Sequence, residues 1–75
     1  MPPSQVKTRP ARLLLALDPL REASYRWLMQ ALAAGGNPAQ AAAIYAACRR
    51  NLRERTGMAP SSETERVFRE IAGHD

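Results

Sequence analysis

The chain has 75 residues, one cysteine and a formal net charge of +4. A chain of this length forms one domain at most and buries only about 60% of the surface that it exposes when unfolded. The single Cys48 excludes an internal disulfide framework and every multi-cysteine zinc site. The longest apolar run, Leu13 to Leu17, is far shorter than the ~20 residues that span a bilayer, so we expect no membrane segment. The first residues lack the pattern of a secretory signal, and we therefore expect a cytoplasmic protein.

The charge is divided unevenly along the chain. Residues 1–60 carry nine cations and three anions, giving +6, whereas residues 61–75 carry two cations and four anions, giving −2. A basic body with an acidic final segment is compatible with nucleic acid, with an acidic protein partner, or with solubility alone. Charge therefore leaves the class of partner open.

The first predicted elements are a leader and a short helical segment. Residues 1–10 contain three prolines and no hydrophobic periodicity, so we expect a disordered leader. From Ala11 the pattern becomes helical, and it stops at Asp18-Pro19 because the residue before a proline disfavours the helical conformation. One side of this segment carries Leu13, Leu14 and Leu17.

The second predicted helix begins at Asp18-Pro19, where the aspartate can cap the helix and the proline fits its first position. Its apolar residues cover an arc of about 200°, twice the stripe of an ordinary surface helix. We therefore expect neighbours on two sides, with Trp27 in the core or covering a neighbouring helix. One hairpin and one further helix cannot cover the whole apolar arc of this helix, and repeat units need stacked neighbours, so the uncovered helix faces predict a homo-oligomer. The arc consists of Trp27, Leu20, Ala31, Leu28, Leu32, Tyr25 and Met29.

Two further helices follow, and no strand pattern occurs, so the predicted fold class is all-α. Gly35-Gly36 predicts the end of the second helix, and Asn37-Pro38-Ala39-Gln40 has the pattern of a capping box. The third helix should end near Thr56, before Gly57, and Pro60-Ser61-Ser62 predicts the start of the last helix. The predicted buried stripes are Ala41, Ile44, Tyr45, Cys48 and Leu52 on the third helix, and Thr64, Val67, Phe68, Ile71 and Ala72 on the last.

The predicted hairpin resembles a tetratricopeptide repeat from Asp18 to Cys48. Met29 departs from the repeat, which prefers glycine there, and no proline closes the unit near Arg53. The second helix of the hairpin instead continues for about two more turns. The positions that carry the resemblance hold Tyr25, Leu28, Leu32, Gly36, Ala41, Tyr45 and Cys48.

The hairpin and its continuation are similar to the bacterial transcriptional activator domain of SARP-type regulators, over about Ala11 to Ile71. Ser62 stands where that family often has proline. The resemblance implies a tetratricopeptide-like, activator-type domain at residues 11–72, incomplete on its N-terminal side, with a frayed tail at 73–75. In that family the module follows a winged-helix DNA-binding domain. The most specific matching element is Gly57, Pro60, Ser61, Glu63 and Thr64.

The resemblance implies a module linked to transcription that binds a protein partner, either the transcription machinery or the rest of a regulator. Arg49, Arg50 and Arg53 span about 100° of one helix face, opposite the buried stripe. This face predicts a contact with acidic protein or phosphate, although cations near a helix C-terminus also favour the helix dipole. Arg26 and Gln30 lie on the side that lines the groove in stacked repeats, where they could bind a partner peptide or simply form a polar rim.

Catalytic, metal and cofactor sites find no support in the sequence, and we expect no enzyme and no cofactor. The single histidine, His74, belongs to the predicted tail, so no Ser-His-Asp set and no metal cluster can be assembled. Gly35-Gly36 lacks the following Lys-Ser or Lys-Thr of a phosphate loop. Cys48 lies on the predicted buried stripe and is interpreted as a packing thiol.

Two other functions stay open. One is a stand-alone helical-repeat adaptor or a fragment of a signalling protein. The other is a basic nucleic-acid binder, since two helices joined through Gly-Gly-Asn have the outline of a helix-turn-helix motif. That motif reads bases with the start of its second helix, which here runs from Pro38 to Ala43 and offers only Gln40 for a base contact. We therefore expect no direct DNA binding without a winged-helix domain.

Overall fold

The computed structural model describes residues 12–13 and 15–73. Its helices are α1 (Glu22–Ala34), α2 (Pro38–Thr56) and α3 (Ser62–Ala72). Residues 12–13 and 15–17 are also helical, and the described ranges contain no strand, which confirms the all-α prediction. No helix in these ranges is long and apolar enough to cross a membrane. The predicted leader at residues 1–10, together with Leu14 and His74, lies outside the described residues.

The start of α1 differs from the prediction by three residues. Residues 18–21 form a turn in which the carbonyl of Asp18 accepts the N–H of Arg21 at 3.2 Å. The Asp18 carboxylate accepts the N–H of Leu20 at 3.3 Å, within the same turn. The predicted capping role of Asp18 is therefore wrong, because its side chain is bonded inside the turn, and Arg21 precedes the helix without a side-chain cap.

The ends of α1 and α2 follow from glycines, as predicted. Gly36 has φ +85° and Gly57 has φ +71°, in the left-handed region that favours residues without a side chain. Asn37 directly precedes α2, yet its side chain forms no capping hydrogen bond. Ser61 does cap α3, since its hydroxyl accepts the N–H of Thr64 at 3.4 Å.

The core lies between α1 and the two helices that pack against it, α2 and α3, which also contact each other. The predicted stripe of α2 is confirmed, because four of its residues are buried and Ile44 is half-buried. Tyr45 stacks on Phe68 of α3 with ring centroids 4.0 Å apart and planes 8° from parallel. The buried apolar residues are Tyr25, Leu28, Met29, Leu32, Ala41, Tyr45, Cys48, Leu52 and Val67.

Part of the predicted apolar arc of α1 lies at the surface instead. Trp27 is 52% exposed and Leu20 is 37% exposed. Of the two interpretations of Trp27, a residue that covers a neighbouring helix stays a prediction, and a core residue is therefore wrong. The reason is that α2 and α3 both pack on the side of α1 that carries Leu28 and Met29. In the helical segment before α1, Leu15 rather than Leu13 or Leu17 packs against the core.

Candidate functional site

Three exposed arginines of α2 line an open groove with a volume of about 880 Å³. One wall of the groove is the outer face of α2, and the other is the loop that follows Gly57. This confirms that Arg49, Arg50 and Arg53 share one face. The groove, called the arginine groove below, is lined by Ala46, Arg49, Arg50, Arg53, Glu54, Gly57, Met58, Ala59 and Pro60.

The loop wall of the groove is held by local hydrogen bonds and by burial. The Thr56 hydroxyl donates to the carbonyl of Leu52 at 2.7 Å and accepts the N–H of Met58 at 3.1 Å. The left-handed Gly57 lets the chain reverse between these contacts. Pro60 is buried, so the far end of the loop is anchored against the body of the domain.

The arginine groove is basic and partly apolar. Within the described part of the chain, none of its three guanidinium groups lies within 4 Å of a carboxylate, and Glu54 is the one acidic residue in the lining. Met58 is 65% exposed and adds an apolar surface beside the cations. This second wall is not among the features predicted from the sequence. A glycine that ends the helix at position 57, followed by Pro60, indicates that the chain reverses there. The direction in which the loop then runs depends on the packing of α3.

Arg26, the fourth candidate cation, is used within the fold. Its guanidinium donates to the hydroxyl of Thr64 at 2.8 Å and lies 3.7 Å from the carboxylate of Glu63. Its side chain is 20% exposed. The structure therefore places Arg26 at the contact between α1 and α3, away from the residues that line the arginine groove.

Gln30 lies beside a different cavity. This exposed residue lines a cleft of about 240 Å³ between α1, the start of α2 and α3. Val67 and Ile71 give the cleft an apolar lining, and Glu70 stands at its side. Gln30 and the three arginines of α2 thus belong to two separate surfaces.

A polar network that the sequence analysis missed joins α1 to α3. One oxygen of the Glu22 carboxylate accepts hydrogen bonds from the Ser61 N–H at 2.9 Å, the Ser61 hydroxyl at 3.1 Å and the Thr64 hydroxyl at 2.6 Å. Burial raises the pKa of Glu22, but these hydrogen bonds and the charge of Arg26 outweigh burial and lower it below its usual value. The network fixes the start of α3 directly after the loop wall of the arginine groove.

Cys48 has the environment of a packing residue. Its side chain is fully buried, and burial raises the pKa of the thiol to about 11, assisted by the charge of Glu22 and opposed by Arg26. A thiol with that pKa is almost entirely protonated at neutral pH and is therefore a poor nucleophile. In the described ranges, no group of three or more His, Cys, Asp or Glu side chains could hold a metal ion.

Comparison with known proteins identifies one family. The family model described as "Bacterial transcriptional activator domain" matches residues 5–72. The matched range includes α1, α2 and α3, and it therefore contains both cavities and the Glu22 network. Searches of curated proteins and of solved structures gave no match.

Proposed function

The chain belongs to the bacterial transcriptional activator domain family, and we propose that it acts as a non-enzymatic protein-interaction module of a transcriptional regulator. In this proposal the domain binds a protein, either the transcription machinery or another part of the regulator. DNA recognition is left to a winged-helix domain outside this chain. A role in transcription implies a cytoplasmic location and needs no cofactor.

The arginine groove is the observation that carries the proposal. Three guanidinium groups lie beside an apolar loop, and none of them has a carboxylate within 4 Å in the described part of the chain. Arginine is enriched at protein interfaces, because its planar group binds carboxylates through two hydrogen bonds and also stacks on apolar and aromatic surfaces. We propose Arg49, Arg50 and Arg53 as the main partner-binding residues.

Arg26 and Gln30 are proposed as secondary contacts on the α1–α3 side of the domain. Gln30 can donate and accept hydrogen bonds at the edge of a cleft whose lining is largely apolar. Arg26 has a carboxylate at 3.7 Å, so a partner carboxylate at this position competes with Glu63. We propose that both residues contribute less to partner binding than the three arginines of the arginine groove do.

A DNA-reading role fits the geometry of α2 poorly. A helix-turn-helix protein presents the first turns of its recognition helix to the bases. The first cation of α2 is Arg49, eleven residues after Pro38 and therefore ~16 Å along the helix axis. A protein partner accounts better for three arginines at the far end of the helix.

A titration with duplex DNA tests the proposal. The full chain is mixed with labelled duplexes of random sequence and of the promoter regions nearest its gene, at ~50 and ~200 mM salt. We expect weak binding without sequence preference that is lost at the higher salt. Because three arginines can contact three phosphates, the plot of log K against log salt should have a slope no steeper than about −3. Sequence-selective binding that persists at the higher salt would overturn the proposal.

A further inference from the structure

We propose that the arginine groove holds a short acidic segment of the partner protein, and that this segment carries an apolar residue which packs against Met58. The proposal rests on the protein-interaction function and adds the chemistry of the partner.

The charge of the groove selects an acidic occupant. Three arginines and one glutamate line it, so its charged groups sum to +2 (three minus one). Within the described residues, the arginines have no carboxylate within 4 Å that a ligand must first displace. Complementary charge at such a surface raises the rate of encounter and suppresses basic competitors.

The spacing of the arginines matches carboxylates one helical turn apart. Arg49 and Arg53 are four residues apart on α2, which separates them by ~6 Å along the helix axis. Glutamates four residues apart on a partner helix have the same separation. Ala46 lies ~20° from Arg53 and ~40° from Arg50 around the helix, and it precedes both along the axis, so a small residue continues the same face on the N-terminal side of the cations.

The apolar wall of the groove indicates that the ligand carries an apolar residue as well as negative charge. Met58 is 65% exposed, and Ala59 and Pro60 continue the same wall. A methionine side chain is flexible and adapts to the shape of an apolar ligand, which suits it to binding surfaces. An apolar residue of the partner that covers Met58 removes this surface from water. A phosphate backbone would bind the arginines but leave Met58 uncovered, so an acidic and apolar peptide fits the groove better than nucleic acid does.

A nuclear magnetic resonance titration of the isotope-labelled full chain tests the proposal. The probe is a synthetic helical peptide with glutamates one turn apart on either side of a leucine, at ~150 mM salt, where exposed charges are screened beyond ~8 Å. One control peptide has glutamine in place of every glutamate, and a second has alanine in place of the leucine. We expect the probe to shift the amide signals of residues 46–59 and to bind with a dissociation constant below ~1 mM.

Two triple variants with the same change in net charge separate the effect of the groove arginines on probe binding from the effect of net charge. The triple variant Arg49→Glu, Arg50→Glu, Arg53→Glu should weaken probe binding at least about tenfold, because it removes three modest ion pairs at once. The control triple Arg55→Glu, Arg66→Glu, Arg69→Glu changes the net charge equally at exposed positions outside the groove lining. It should weaken binding by less than about threefold, because its charges are screened. Circular dichroism of both triples checks that the fold is retained.

A double-mutant cycle tests the apolar contact. The substitution Met58→Ser should weaken binding of the leucine probe about threefold or more and leave the alanine peptide unaffected, because the two side chains then interact directly. Equal effects on the two peptides would remove Met58 from the proposal.

Three results would overturn the docking proposal: no shifts with the probe, equal binding of the glutamine peptide, or equal losses in the two triple variants. A duplex DNA that shifts the same signals at ~150 mM salt would also overturn it. Failure of the peptide alone leaves the protein-interaction function standing, because that function is tested by the salt-dependent DNA titration described above, which does not use the peptide. The two failures are therefore distinguishable.

Discussion

The Thr64 hydroxyl donates a hydrogen bond of 2.6 Å to the carboxylate of Glu22, across 42 residues of sequence. The same oxygen accepts both the N–H and the hydroxyl of Ser61. A single acceptor thus joins the start of α1 to the start of α3. Because α3 begins directly after the loop wall of the arginine groove, this network links the stability of the domain to the shape of its candidate binding surface.

The substitution Glu22→Ala should lower the free energy of unfolding by about 1–3 kcal/mol, because the fully buried Thr64 and the cap residue Ser61 lose their acceptor. The matched control is Glu63→Ala, whose side chain is 60% exposed and only 3.7 Å from a guanidinium nitrogen of Arg26. This control should cost about 0.5 kcal/mol or less. Urea unfolding followed by circular dichroism measures both variants, and equal losses would show that the network is not a stabilising contact.

The same network predicts how stability depends on pH. The pKa of Glu22 lies below its usual value of 4.5 in the folded chain, so folding favours the ionised carboxylate. Its contribution is therefore complete above pH 4.5 and is lost as the pH falls through the folded pKa. The variant Thr64→Val removes one hydrogen bond to the carboxylate and should show a shallower loss of stability between about pH 5 and pH 3. Identical slopes for Thr64→Val and the native chain would contradict this assignment.

Cys48 is predicted to tolerate a small residue and to reject a charge. Cys48→Ala should cost about 1 kcal/mol, since it leaves only a small cavity on the buried side of α2. Cys48→Arg should unfold the hairpin, because it buries a cation without a partner. Thermal melts measure both variants, and native stability in Cys48→Arg would show that this side of α2 is not packed. Alkylation of the native thiol at neutral pH should also be slow until the chain is unfolded, because of its raised pKa.

The features that could be predicted from the sequence are those that depend on neighbouring residues. The helix ends at Gly35-Gly36 and before Gly57, the start of α3 near Pro60-Ser61-Ser62 and the buried stripe of α2 all follow from local chemistry, and the structure confirms them. The start of α1 was harder to predict. The Asp18 carboxylate could accept a hydrogen bond either as a helix cap or within a turn, and in the structure it accepts the N–H of Leu20 within the turn. The exposed position of Trp27 depends on which side of α1 the other helices cover.

The candidate site was predictable only in part. The shared face of Arg49, Arg50 and Arg53 follows from helical spacing, and the structure places all three in one groove. Met58 as the opposite wall was not predictable, since it depends on how the loop returns along α2. The Glu22 contacts with α3 cross 39 and 42 residues and have no local signature. The contact of Arg26 with Thr64 crosses 38 residues, so the sequence alone predicts only a groove or rim position for Arg26.

Self-association of the isolated chain remains a prediction. Leu13 is 61% exposed, Leu17 is 74% exposed and Trp27 is 52% exposed, so large apolar side chains lie at the surface of the described part of the chain. We expect the chain to be marginally stable or to self-associate, and we expect Leu17→Gln to weaken that association. Sedimentation and melts at several concentrations measure it. A monomer with a reversible, concentration-independent melt above about 65 °C would contradict the prediction.

The central claim is that this domain serves transcription through a protein contact at the arginine groove. The most direct test introduces the two triple variants separately into the gene that encodes the chain and measures transcript levels in the same cells. We predict that Arg49→Glu, Arg50→Glu, Arg53→Glu changes the transcripts that depend on the regulator, at unchanged protein level, whereas Arg55→Glu, Arg66→Glu, Arg69→Glu leaves them as in the native strain. Native transcript levels in the groove variant, while deletion of the gene alters them, would contradict the account.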